Sequence, residues 1–190
     1  MGSLFCLLFC TLAFAEVIDR IVAVVDGQII TLSDLRQERE MRALFGDKPI
    51  DDDLTLARQL VDNRLIDQQI ADYPNVDVTD AEIDADLQKL NLSRTSNDTR
   101  EAVRRRIRAQ KFFDVKFRQS IRPTDDEVRK YYEDVFVPAA RARGMDTVPP
   151  LTDRAMADAI RDNVIQENLD HEVEVWLEAI RRRSKIEVFQ

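Results

Sequence analysis

Ile21-Val22-Ala23-Val24-Val25-Asp26-Gly27-Gln28-Ile29-Ile30-Thr31 near one end and Lys185-Ile186-Glu187-Val188-Phe189 at the other decide how this chain folds. The first stretch is rich in β-branched residues on both sides of Asp26-Gly27. A two-residue type I′ turn favours that pair because both of its residues take positive φ. The reading is a hairpin with strands over 17–25 and 28–31. The second stretch alternates polar and apolar residues as a short strand. A strand by itself leaves its backbone groups without partners, and the only other strands are those of the hairpin. The two ends of the chain are therefore expected to meet in one small antiparallel sheet.

The sequence between them reads as helix. Four glycines and six prolines in 190 residues are too few for a turn-rich all-β sandwich or a disordered linker, so the fold class is mostly α. Thr31, with Asp34 three residues on, caps a helix over 33–45, and Gly46 sits where a left-handed glycine ends one. A second helix runs over 52–72 with Leu54, Ala57, Leu60, Val61, Leu65, Ile66 and Ile70 on a wide face. Thr79-Asp80-Ala81-Glu82 is a capping box that opens a helix through Leu90, whose inward residues are Ile83 and Leu87 with Leu90. Ser96 or Asn97 caps the next, which runs to Ser120 with Val103, Ile107, Phe113, Phe117 and Ile121 at near-helical spacing. A second box at Thr124-Asp125-Asp126-Glu127 opens a helix through Phe136 that Pro138 should kink or stop. From Thr152 to Arg183 the apolar positions Met156, Ile160, Val164, Ile165, Leu169, Val173, Trp176, Leu177 and Ile180 form one sustained amphipathic helix. Its roughly 32 residues would reach about 48 Å, which points to an elongated molecule.

The leading segment reads as an export signal. Leu4 to Phe14 carries no charge, is too short to span a bilayer, and ends in the small-x-small pattern of Ala13 and Ala15, so cleavage is expected after Ala15. Residues 1–15 are then a signal peptide and 16–190 a single body: 16–142 hairpin and helices, 143–151 a linker, 152–190 long helix and strand. An uncleaved anchor is the alternative. Lipidation of Cys10 is opposed by the bulky Phe9 before it. Both cysteines, Cys6 and Cys10, fall in this segment, leaving a mature chain with neither disulfide nor thiol nucleophile. Export with a cysteine-free body fits a bacterial periplasm.

Chemistry-bearing residues are sparse. The net charge of −8 argues against a nucleic-acid partner. His171, the only histidine, reads as a solvated residue of the long helix. Asp51-Asp52-Asp53 lacks the alternating ligands and central glycine of a calcium loop and reads as favourable charge at a helix start. Arg104-Arg105-Arg106, with Arg100, Arg108 and Lys111, points around the helix cylinder and reads as a solvated face, with nucleic-acid or lipid-headgroup contact as the alternative. Arg181-Arg182-Arg183 opposes the macrodipole at a helix end, with anionic lipid contact as the alternative. Phosphate loop, nucleophile elbow and zinc-protease motifs are all lacking in the sequence. No cofactor, metal or catalytic residue is expected.

Val17 to Leu35, reading VIDRIVAVVDGQIITLSDL, resembles the start of the SurA-type periplasmic chaperones, the family that also includes parvulin-type peptidyl-prolyl isomerases. Arg122-Pro123-Thr124-Asp125-Asp126-Glu127-Val128-Arg129-Lys130-Tyr131-Tyr132-Glu133 is similar to that family's segment before its isomerase domain, and Ile160 through Ile186 to its C-terminal helix and strand. The resemblance implies a chaperone core with an extended crevice. Where the family places a parvulin domain, between Pro138 and Pro150, this chain has a short connection. With one histidine and four glycines in all, it lacks what a parvulin site needs, so the implied protein is not an isomerase.

The expected function is an ATP-independent periplasmic chaperone whose partners are unfolded exported polypeptides, outer-membrane protein precursors above all, held in a groove between helices. Stable membrane insertion after signal cleavage is not expected. The alternatives are an assembly subunit that binds one folded partner or forms a homodimer through the same groove, and a degenerate isomerase. Candidate client-facing residues are the aromatic and flexible ones that a minimal core does not require: Met41, Phe45, Phe112, Tyr131, Tyr132, Phe136 and Met156.

Overall fold

A computed structural model describes residues 19–71, 73–92 and 95–189. The expected signal peptide, both cysteines and the first two expected strand positions lie outside the described residues. Three strands, β1 (Ile21–Val25), β2 (Gln28–Thr31) and β3 (Ile186–Val188), form one antiparallel sheet in the order β2-β1-β3. The C-terminal strand therefore pairs with the first strand of the hairpin, Val25 opposite Ile186 and Ala23 opposite Val188. The turn residues hold this junction. Asp26 and Gly27 both have positive φ, 47° and 83°, as a type I′ turn requires. The Asp26 N–H donates to the Lys185 carbonyl, and the Asp26 carboxylate accepts from the Lys185 N–H at 2.8 Å.

One irregularity in β1 shapes the core. The register with β2 shifts between Ile21 and Ala23, leaving Val22 as an extra residue on one strand. Val22 and Ala23 are consequently both buried, as is Val25, while Ile21 faces outward. Strict alternation would have placed Val22 outside.

Among the described residues, seven α-helical segments lie between the hairpin and the last strand: α1 (Leu32–Phe45), α2 (Asp53–Ala71), α3 (Asp80–Lys89), α4 (Asn97–Lys116), α5 (Asp125–Tyr131), α6 (Val137–Ala142) and α7 (Arg154–Arg181). Thr31, Thr79 and Thr124 each cap a helix with a reciprocal box, closed by Asp34, Glu82 and Glu127. These boxes satisfy donors that helix starts leave open. Gly46, at φ 71°, ends α1.

Pro138 is expected to kink or stop its helix, and regular α-helix does end ahead of it, at Tyr131. Between α5 and α6 the backbone takes one π turn, Tyr132–Phe136, and the helix then resumes with Pro138 in its first turn. The Val137 N–H bonds back to the Tyr132 carbonyl. The wider turn makes room for a residue that has no N–H to give.

The main core gathers under the sheet: Val22, Val25 and Ile30 meet Leu35 of α1, Leu56 and Leu65 of α2, and Ile180 of α7. Leu56, missing from the face expected for α2, is fully buried, and Leu54 is half-buried. A second cluster joins α2 to α4 around Ile70, Val76 and Phe112, and a third joins α3 to α4 around Ile83, Leu87 and Val103. A fourth, formed by Val128, Ile160 and Val164, ties α5 to the first half of α7. The 28 residues of α7 reach about 42 Å, so one helix belongs to the main core at its C-terminal end and to the fourth cluster at its other end. Among the described residues no helix is long and apolar enough to cross a membrane.

Candidate functional site

Four helices diverge around an open groove of about 580 Å³. α1 contributes Met41 and Phe45, α2 Asn63 and Asp67, α4 Ala109 and Phe113, and α7 Leu169 and Val173. The volume lies within the range of clefts that hold ligands, roughly 300–1,000 Å³. Phe113 connects the wall to an aromatic cluster: its ring lies 6.0 Å from Trp176 and 5.5 Å from the buried Phe112. Phe117 and Tyr73 close that cluster, and the Lys116 ammonium sits 5.7 Å from the Trp176 ring. The wall is thereby stiff where it is aromatic, since each ring is packed on another.

The electrostatics of the groove are nearly balanced. Asp34 lies 3.8 Å from Arg64, Asp47 3.6 Å from Arg106, and Asp114 3.9 Å from Arg118. The Arg106 guanidinium also covers the Phe45 ring at 5.4 Å. Asp67, on the floor, differs. Burial pushes its carboxyl above the ordinary aspartate value, against the opposing pull of Arg105, Arg64 and Arg108.

The basic stretch of α4, read from sequence as a solvated face, is largely committed to its neighbours. Arg100 pairs with Asp84 at 2.6 Å, Arg104 with Asp80 and Glu101, and Lys111 with Glu82 at 2.7 Å and the Asp77 carbonyl at 2.6 Å. Lys111 and the Thr79 cap hold the Glu82 carboxyl down to about 2. These contacts hold α3 against α4 and so fix one side of the groove. Arg181 likewise does more than oppose a helix dipole. Its guanidinium takes Asp62 of α2 through Nε at 2.6 Å and Nη2 at 2.7 Å, a two-pronged geometry that locks α7 to α2. Arg182 and Arg183 donate to carbonyls of the last turn, as their position suggested.

The seven candidate client-facing residues do not form one surface. Met41 and Phe45 line the groove. Phe112 is only 1% exposed, walled in by Ile70, Val76 and Tyr73, and belongs to the core. Its side chain must be subtracted from any client-binding surface. Tyr131, Tyr132, Phe136 and Met156 pack around the fourth cluster, away from the groove. There the Tyr132 and Phe136 rings stack at 6.0 Å, and the Tyr132 hydroxyl donates to the Pro149 carbonyl at 2.8 Å, pinning the connection that follows α6. Tyr132 also borders a smaller recess of about 330 Å³ with Val137 and Val148.

Asn63, Asp67 and Ala109 line the groove without having been singled out by sequence. Phe113 and Val173 had been assigned to helix faces, where period alone does not separate a core wall from an open one. His171 is exposed. Among the described residues no group of three or more His, Cys, Asp or Glu side chains is placed to hold a metal ion. No protein-family model matches the chain, and no curated protein is significantly similar to it.

Proposed function

We propose that this chain is an ATP-independent periplasmic chaperone that holds unfolded exported polypeptides, outer-membrane protein precursors in particular, in the groove between α1, α2, α4 and α7. The observation that supports this best is the groove itself: open, walled by Met41, Phe45, Phe113 and Val173, and bordered by carboxylates and arginines that mostly neutralise one another. Apolar walls offer affinity without directional demands, and contacts spread along an open surface keep it modest enough for release. Such binding needs no catalytic group. The likeness of residues 17–35, 122–133 and 160–186 to SurA-type chaperones points the same way and supplies the periplasmic location.

The test uses mature protein beginning at Glu16, mixed near stoichiometry with a urea-denatured outer-membrane β-barrel on dilution, with light scattering followed over time. Dose-dependent suppression without nucleotide is the expected result. Scattering equal to that of an inert control, from protein shown to be folded, would overturn the proposal.

A second reading, an assembly subunit for one folded partner or a second copy, is favoured by the outward side of the sheet. Ile21 and Ile29 of its first two strands, and Phe189 just past the third, are each exposed. Sedimentation across a range of concentrations tests its self-association branch, which alone predicts a mass that rises with concentration.

A further inference from the structure

We propose that the groove grips the main chain of an extended polypeptide segment through three side-chain amides, Gln37, Asn63 and Gln110. Its selectivity would then be for unpaired backbone rather than for client sequence. This rests on the chaperone reading and specifies what the groove holds.

The three residues face the groove from three helices, α1, α2 and α4. Two further amides in the lining are already engaged: Gln59 accepts from Arg42, and Gln166 accepts from Arg118 and donates to Asp170. The side-chain amides of Gln37, Asn63 and Gln110 make no hydrogen bond to another described residue. Of the lining polar side chains without a described partner, which also include Glu38, Asp67 and Arg105, these three amides alone are neutral and able both to donate and to accept.

Charge points to the same occupant. Six carboxylates and five arginines line the groove, and three pairs lie within 4 Å of each other. A cationic or anionic segment would meet repulsion as often as attraction. The complement of such a surface is a neutral chain of dipoles, which describes a polypeptide backbone. An amide side chain both donates and accepts, so it can serve the N–H or the C=O of any residue. A helix has already spent those groups internally, whereas an extended segment presents them to both sides at every step. The apolar walls then take alternate side chains without reading them closely. Each hydrogen bond replaces one made with water and so contributes only about a fivefold gain in affinity, which keeps release easy.

The sole tryptophan, Trp176, packs on Phe113 of the groove wall, so its fluorescence reports occupancy. The probe is an unstructured peptide of about twelve residues with alternating apolar side chains and no tryptophan. It is compared with a scrambled peptide and with the parent N-methylated at alternate residues. Binding of the parent and of the scrambled peptide is expected, with N-methylation weakening it about tenfold or more. Asn63→Ala and Gln110→Ala should each weaken both unmethylated peptides about fivefold, while Gln119→Ala, outside the groove, changes neither. Equal binding of methylated and unmethylated peptides would overturn the inference. So would tighter binding of a helix-stapled peptide, or mass measurements showing a second copy seated in the groove. If these fail while aggregation is still suppressed, the inference alone falls. If no peptide binds and suppression is absent too, the chaperone reading falls with it.

Discussion

The two ends of α7 are held in different ways. At the C-terminal end Ile180 enters a core of eleven buried side chains shared with the sheet, α1 and α2, and Arg181 grips Asp62 through two hydrogen bonds. At the N-terminal end Ile160 and Val164 meet a single buried residue of α5, Val128, inside a collar of half-buried Tyr131, Tyr132, Phe136, Leu151 and Met156. One exposed ion pair, Arg161 with Asp125 at 2.9 Å, adds to it. The lesson is that continuous helix does not mean uniform stability. Buried apolar area sets how firmly each end is held, and the segment from α5 to α6 is expected to open before the rest.

The largest test of this contrast truncates one buried side chain at each end. Leu65→Ala, in the main core, should cost about 3–4 kcal/mol and lower the unfolding midpoint of the whole chain. Ile160→Ala, in the fourth cluster, should cost about 2–3 kcal/mol, with lost amide protection confined to α5, α6 and the first turns of α7. Hydrogen exchange read by segment checks both, and global loss of protection from Ile160→Ala would break the comparison.

The charge pairs should follow the same order on a smaller scale. Arg181→Ala removes a part-exposed, two-pronged partner of Asp62, and a cost of about 1 kcal/mol is expected. Arg161→Ala, in a pair open to water, should change stability by less than about 0.5 kcal/mol. Chemical denaturation of the two variants beside the parent decides it.

Acid should sharpen the difference further, with the smallest effect of the set. The Thr124 N–H and hydroxyl hold the Glu127 carboxyl below its ordinary value. A carboxyl whose folded pKa is depressed contributes stability that is present above its unfolded value of 4.5 and lost as pH falls through the lowered folded value. Asp67, in the groove, runs the other way. Its folded pKa is raised, so its burial penalty applies in the ionised state and eases as pH falls through that raised value toward its unfolded one. As pH falls from about 5 to about 3 the protection of α5 should therefore drop, and Glu127→Gln should remove much of this pH dependence of α5. Asp67→Asn should stabilise the protein at neutral pH and lose that advantage in acid.

The groove was only partly legible in the sequence. Met41 and Phe45 were found because an aromatic and a methionine near the end of α1 had no evident core role. Phe112 was a candidate as an aromatic that a minimal core does not require, and it lies in the core while its neighbour Phe113 lines the groove. Adjacent positions lie about 100° apart, and only the packing of α2 and Trp176 shows which of the two faces inward. Tyr131, Tyr132, Phe136 and Met156 were candidates for the same groove, and the structure gathers them instead around their own small cluster. Leu56 and Val22 were missed for related reasons: a wide helix face does not rank its members, and a strand bulge breaks the alternation by which faces are assigned.

Local chemistry, by itself, determined the hairpin with its Asp26-Gly27 turn, the three threonine capping boxes, the glycine that ends α1, the long final helix, and the pairing of the last strand with the first hairpin. Each follows from interactions within a few residues, or, for the last strand, from the absence of any other partner. Tertiary structure alone decided the groove, the assignment of Phe112 to the core, the commitment of the α4 arginines to α3, and the π turn that lets helix continue past Pro138. These depend on how four helix surfaces diverge and which charges meet across them. Such distances are set by packing many residues apart, and periodicity along one helix carries no information about them.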